Sequence, residues 1–143
     1  MSAYPILNTQ VIGQTESALG ALLGPLLART GTTFNQWLVL TVTAASGSAI
    51  DRDQLITRIT SARKIDAHQV ETAIAELTAA GLVLPGDQPR LSETGQARHH
   101  EIRTALEEIT ARLFGDFPPE DLATAGRVLS IVTARANAEL DHS

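Results

Sequence analysis

Apolar positions recur at helical spacing along most of this chain, most clearly between Asp66 and Val83. There Val70, Ala73, Ile74 and Leu77 fall on one stripe, as the buried face of a helix requires. Asp66 precedes the stripe as an N-cap, its carboxylate placed to accept from first-turn N–H groups. Gly81 follows as a stop, because glycine reaches the left-handed C′ conformation at little cost. Leu82-Val83-Leu84 then reads as a short strand.

The same rules divide the rest of the chain. Residues 1–8 read as an apolar arm with an extended start at Tyr4-Pro5. Ile12, Leu19, Leu22, Leu23, Leu26 and Leu27 predict a helix over Thr9–Arg29, kinked at Pro25 and weakened by Gly13, Gly20 and Gly24. Its second half is too apolar to face water, which points to packing against a second subunit. Thr33 and Gln36 form a capping-box signature ahead of Phe34–Ala45, a segment apolar almost all round and therefore central. Ser46-Gly47-Ser48 is a predicted turn.

Asp51 and Gln54 repeat the capping signal and open a short helix with Leu55, Ile56 and Ile59 inward. Thr60–Ile65 connects it to the helix at Asp66, giving a helix-turn-helix pattern. Turn-formers from Pro85 to Pro89 separate Leu82–Leu84 from Arg90–Ser92, which predicts a small hairpin. Ser92 can cap a helix over Glu93–Phe114 with a stripe at Ala97, Ile102, Ala105, Leu106, Ile109 and Leu113. Pro119, Glu120 and Asp121 suit the start of a last helix over Pro119–Leu140. Its apolar side carries Leu122, Val128, Leu129, Val132, Ala136 and Leu140. The architecture expected is mainly α, a winged helix-turn-helix with a small β-hairpin wing.

Composition narrows the chemistry. The 143 residues are 43% hydrophobic but only 3% aromatic, so Leu, Ile, Val and Ala must build the core. The absence of cysteine excludes disulfides and thiolate metal sites and fits a reducing cytoplasm. Met1–Gln10 has no basic region followed by an apolar core, so it is not expected to act as a secretory signal. The uncharged run Thr30–Ile50 holds too much Thr, Ser and Asn for a membrane span. A soluble, cytoplasmic protein with no membrane partner is expected.

Four stretches carry a family resemblance in order and spacing. Thr33-Phe34-Asn35-Gln36-Trp37-Leu38-Val39-Leu40 is similar to the capped second helix of the MarR family of bacterial winged-helix transcription regulators. Val70–Val83 resembles that family's recognition helix, ending Leu-x-x-x-Gly-Leu-Val. Leu91-Ser92-Glu93-Thr94-Gly95 resembles the motif that closes its wing. Phe117-Pro118-Pro119-Glu120-Asp121-Leu122 is similar to the start of its last helix. The resemblance covers nearly the whole chain and implies one MarR-like domain over 1–143. In it, 33–95 would be the winged-helix DNA-binding region, and 1–32 and 96–143 the helical dimerisation region. It implies a homodimeric repressor that reads double-stranded DNA at a pseudo-palindromic operator and is relieved by a small aromatic effector. By the same resemblance Phe34 and Trp37 would border the effector pocket. Only seven residues separate Val83 from Leu91, a shorter wing than is usual, and Arg90 is the candidate for its minor-groove arginine. The Thr60–Ile65 connection also looks longer than the family's tight turn.

Net charge is −5, so a nucleic-acid partner requires a local basic face. From Ile50 to Gly95 the cations are Arg52, Arg58, Arg63, Lys64 and Arg90, outnumbered by seven carboxylates. Arg63 and Lys64 precede the recognition helix, where phosphate sits beside a helix N-terminus. On that helix the outward face holds His68 and Thr72 for single bonds, and Gln69 for adenine. His99-His100 has no His, Asp or Glu three or four residues away, so both read as solvated rather than metal-binding. Glu107-Glu108 and Glu120-Asp121 read as charged helix surface, and no nucleophile arrangement or phosphate loop is present. No enzyme, cofactor or metal is expected. The rival expectation is a MarR-like dimer without strong DNA binding, serving as a ligand-binding or protein-interaction module.

Overall fold

A computed structural model describes residues 3–47 and 50–142. Its helices are α1 (Thr9–Arg29), α2 (Phe34–Ser46), α3 (Arg52–Arg63), α4 (Ala67–Ala79), α5 (Glu93–Phe114) and α6 (Pro119–Asp141). Strands β1 (Val83–Leu84) and β2 (Arg90–Leu91) pair antiparallel, Val83 opposite Leu91 and Leu84 opposite Arg90. Two compact units result, Met1–Leu106 and Glu107–Ser143.

Three helix starts obey one local rule. Thr33, Asp51 and Asp66 each accept a first-turn N–H through a side-chain oxygen, and Gln36, Gln54 and Gln69 return the bond to the cap backbone. At the other end of α4, Gly81 has φ +80° and Leu82 N–H donates to the Leu77 carbonyl at 2.9 Å. This is the glycine-dependent stop that the sequence predicts. The turn expected at 46–48 begins at Gly47, with φ +61°, while Ser48 lies outside the described residues.

The first unit has its core where α2, α3 and α4 pack together, with β1 on α4 and β2 on α2. Val39, Leu40 and Leu55 are wholly buried, joined by Ile59, Val70, Ile74, Leu77 and Ile102. One clasp fixes where α4 ends, the hairpin closes and α5 begins. Ser92 Oγ donates to the Gly81 carbonyl at 2.6 Å and accepts from Gly95 N–H at 3.0 Å. Gly95 is buried, and a Cβ there would overlap the Leu82 carbonyl oxygen, so only glycine permits this approach. The Leu91–Gly95 stretch is thus a packing device as much as a motif.

Three expectations about local structure are corrected. Helix α3 continues to Arg63, so only Lys64, Ile65 and Asp66 separate it from α4, and the connection is tight. Lys64 makes this turn in the left-handed region, φ 56° and ψ 39°, with its N–H on the Thr60 carbonyl at 2.9 Å. On α5 the inward face begins at Gly95, Arg98 and His99 rather than Ala97, which is exposed. Arg98 Nη1 donates to Thr32 Oγ1 at 3.3 Å, tying α5 to the α1–α2 loop. His99 is half-buried rather than solvated, for a reason given below.

The terminal helices contrast with this core. Helix α1 runs through Pro25 and buries only Leu26 and Leu27, leaving Leu19 and Leu22 exposed. By length and composition it is the one helix among the described residues apolar enough to cross a membrane, yet its last turn is anchored in the core. In the second unit α6 starts with Pro119 at its first position and Glu120 and Asp121 in its first turn. It buries no residue, and Leu122, Leu129, Ile131, Val132 and Leu140 stay 38–57% exposed.

Candidate nucleic-acid interface

Helix α4 turns Val70, Ala73, Ile74 and Leu77 into the core, which sends His68, Gln69, Thr72, Ala75 and Ala79 to the surface. Helical periodicity alone dictates this division. Its polar groups are partly occupied. Gln69 Oε1 accepts from Asp66 N–H at 3.4 Å, so bidentate adenine reading would break its cap bond, and only its amide N–H groups remain for a partner. Asp66 Oδ1 accepts from His68 N–H at 2.7 Å, which leaves the His68 ring exposed. Glu76 accepts from Gln36 Nε2 at 3.2 Å, tying α4 to α2. No Lys or Arg lies on α4.

The cations surround α4 at separate places. Arg63 ends α3 with its guanidinium 5.0 Å from the centroid of the Phe34 ring, and Lys64 follows in the turn. Phe34 therefore acts as an exposed platform for Arg63, an attractive cation–π contact at the approach to α4. Arg58 Nη1 donates to Ser46 Oγ at 3.1 Å, which directs it toward the end of α2. Arg52 is half-buried in a groove with Ile74, Thr78, Val83 and Pro89, and its backbone N–H holds the Asp87 carbonyl at 2.9 Å. Arg90 sits in β2 opposite Leu84, not at the wing tip, where Pro85–Pro89 carries Asp87 and no cation. Of the expected DNA-contacting side chains, only Arg63, Lys64, His68, Gln69 and Thr72 cluster at one end and face of α4.

Arg90 instead enters an open cleft of about 660 Å³ between the C-terminal end of α2, the base of the hairpin and the start of α5. Thr43, Gln96, His99 and His100 line it on the polar side, Ala44, Leu84 and Leu91 on the apolar side. Trp37 meets this cleft through His99: their rings stack with centroids 5.3 Å apart and planes 22° from parallel. Trp37 is otherwise a core residue, 8% exposed. Burial lowers the His99 pKa from its usual 6.5, and the positive charges of Arg103 and His100 lower it further. Both effects favour the neutral imidazole in this stack on the indole. Among the described residues no group of three or more His, Asp or Glu gathers as a metal site.

Sequence reasoning did not single out Thr43, and it read His99 as solvated where the structure half-buries it against Trp37. The signal for His99 was present, since positions 95, 99 and 102 share a helix face and Gly95 and Ile102 are both buried. Thr43 is buried, and among the described residues its Oγ1 is the buried side-chain atom without a hydrogen-bond partner, a state with no local signature.

No protein-family model matches the sequence, and no curated protein matches it. Solved structures do. Ligand-free NadR is 19% identical, with 92% of this chain and 98% of that one covered at a TM-score of 0.75. CouR from Rhodococcus jostii RHA1, bound to p-coumaroyl-CoA, is 15% identical, covering 85% and 88% at 0.72. A Mycobacterium tuberculosis MarR family protein in complex with DNA is 14% identical, covering 90% and 98% at 0.68. The capped helix-turn-helix, the short hairpin and the two long final helices thus share the winged-helix fold of these solved structures, a MarR family protein among them.

Proposed function

We propose that this chain is a cytoplasmic, homodimeric transcription regulator, a repressor that releases double-stranded DNA when a small aromatic effector binds. The observation that carries the reading is the exposed face of α4, His68 and Thr72 outermost, with Arg63 and Lys64 in the turn before it. In this reading Arg63 and Lys64 hold phosphates beside the α4 N-terminus, and α4 supplies shape and single polar contacts in the major groove. Arg52, Arg58 and Arg90 add weaker phosphate contacts. The similarity to a DNA-bound structure and to one bound to p-coumaroyl-CoA supports both halves of the reading.

Residues 1–32 and 96–143 act as the dimerisation region of one MarR-like domain, and 33–95 as its reading region. The uncovered apolar faces of α1 and α6 support this, because exposed apolar surface of that extent marks an interface. Effector binding beside Trp37 and Phe34 favours a separation of the two α4 helices that no longer matches successive major grooves, ~34 Å apart.

A titration against DNA upstream of the chain's own gene, at two salt concentrations, tests this reading. Binding is expected with a log–log salt slope between about −4 and −9, set by five cations in each half of a dimer. Arg63→Ala/Lys64→Ala should weaken it at least tenfold. No binding at low salt, or a slope near zero, overturns DNA binding; an unaffected double variant overturns the placement of the phosphate contacts. One observation favours a second reading, a dimer that binds ligand or protein without strong DNA contact: the wing tip carries Asp87 and no cation, with Arg90 turned to the cleft.

A further inference from the structure

We infer that Phe34 is a positioning residue for DNA binding: its ring holds the Arg63 guanidinium by one face and leaves the N–H groups at the edge free for a backbone phosphate beside α4. The inference rests on the DNA-binding part of the proposed function. The Arg63 guanidinium carbon lies over the Phe34 ring, 5.0 Å from its centroid. Among the described residues Arg63 makes no hydrogen bond or ion pair. Two other arginines spend a donor inside the protein, Arg58 on Ser46 Oγ at 3.1 Å and Arg98 on Thr32 Oγ1 at 3.3 Å. A planar guanidinium meets a ring through its face and a phosphate through its edge, so both contacts can be made together. Holding the side chain in advance also reduces the rotamer freedom lost when the phosphate is captured.

The platform is itself keyed to α4. Phe34 is the first residue of α2, directly after the Thr33 cap. Gln36 Oε1 accepts from Thr33 N–H at 3.1 Å, and Thr33 Oγ1 accepts from Gln36 N–H at 3.1 Å. The same Gln36 side chain donates through Nε2 to Glu76 of α4 at 3.2 Å. One amide thus fixes the start of α2 and ties it to α4, with Phe34 inside that cap. On the other side Arg63 ends α3, and Lys64 follows at φ 56°, the one non-glycine residue in the left-handed region among the described residues. That conformation is unfavourable for a residue with a Cβ, and it turns the chain from Arg63 into α4 within three residues. In a chain with 3% aromatic residues, Phe34 stays 39% exposed beneath a cation instead of joining the core. A phosphate contact carries no base information, so its loss should be felt equally on any duplex sequence.

The test titrates the full-length protein at low salt against two duplexes, the DNA upstream of its own gene and an unrelated duplex of the same length. Phe34→Leu keeps an apolar side chain without a π face. It should weaken both duplexes by the same factor, about threefold in each half of a dimer and about tenfold in all. Phe34→Tyr restores the ring and should bind within about twofold of the parent chain. Arg63→Lys, an exposed change that keeps the charge without the planar group, should lose about as much as Phe34→Leu. In an Arg63→Gln chain, Phe34→Leu should change binding by less than about twofold, an interdependence that a general structural loss would not show. Binding unchanged in Phe34→Leu or Arg63→Lys, no rescue by Phe34→Tyr, a loss confined to one duplex, or the same tenfold loss in the Arg63→Gln chain would each overturn the inference and leave DNA binding standing. No binding of either duplex by the parent chain overturns the regulatory reading and the inference together.

Discussion

Helices α4 and α6 both carry an apolar stripe at helical spacing, and they end in different surroundings. Val70, Ala73, Ile74 and Leu77 of α4 are at most 2% exposed, held against α2 and α3. Leu122, Leu129, Ile131 and Val132 of α6 are 38–42% exposed. A stripe therefore says where an apolar face is and not what covers it. For α4 the cover comes from helices within the same forty or so residues of chain. For α6 it must come from elsewhere, and a second copy is the cover proposed above.

The comparison is broken most decisively at α6. Leu129→Glu/Val132→Glu should halve the sedimenting mass while leaving helix content and core unfolding nearly unchanged, because neither side chain is buried within one chain. A variant that sediments like the parent would show that α6 is not the dimer face. In α4 the reverse is expected: Leu77→Ala, at 1% exposure, should lower the unfolding free energy by about 3 kcal/mol in a urea titration, as large-to-small core changes do. A loss comparable to that of an exposed α6 leucine would mean that the two stripes do not differ as described.

Smaller effects refine the α4 side. Asp66→Ala removes the acceptor for His68 N–H and should cost about 1 kcal/mol by the same titration. Gln69→Ala removes the reciprocal bond and should cost less, since the Asp66 N–H is exposed and finds water. The smallest effect is at His99, whose folded pKa lies below 6.5. Below that pH the unfolded chain takes up a proton that the folded chain resists. Stability should be fully present above about pH 6.5 and should fall as pH drops toward the folded pKa. The difference between parent and His99→Gln unfolding midpoints, followed from pH 7.5 to 5, isolates this contribution; a difference independent of pH would exclude it.

Much of the fold was legible because it follows local rules. The bounds of α1 and α5 match their spacing, and the capping residues Thr33, Asp51, Asp66 and Ser92 occupy the expected positions. A third capping box, Asp66 with Gln69, has the same spacing in the chain, and the structure spends Gln69 Oε1 on it. The candidate site was less legible. Phe34 supports Arg63, Arg90 leaves the wing tip for a cleft, and His99 stacks on Trp37. Each is a contact between elements, and a one-dimensional pattern fixes the face of a side chain without naming its neighbour.

The sequence by itself determined where helices start and stop, which face of α4 is inward, and that Gly81 ends it. Caps, periodicity and left-handed glycines act within a few residues, so the chain carries them locally. Tertiary structure alone decided that Thr43 has a buried hydroxyl without a partner among the described residues, that burial and nearby charge lower the His99 pKa, and that the apolar stripe of α6 is exposed. Desolvation, hydrogen-bond pairing and burial depend on everything that surrounds a group, and those surroundings exist only once the chain has folded.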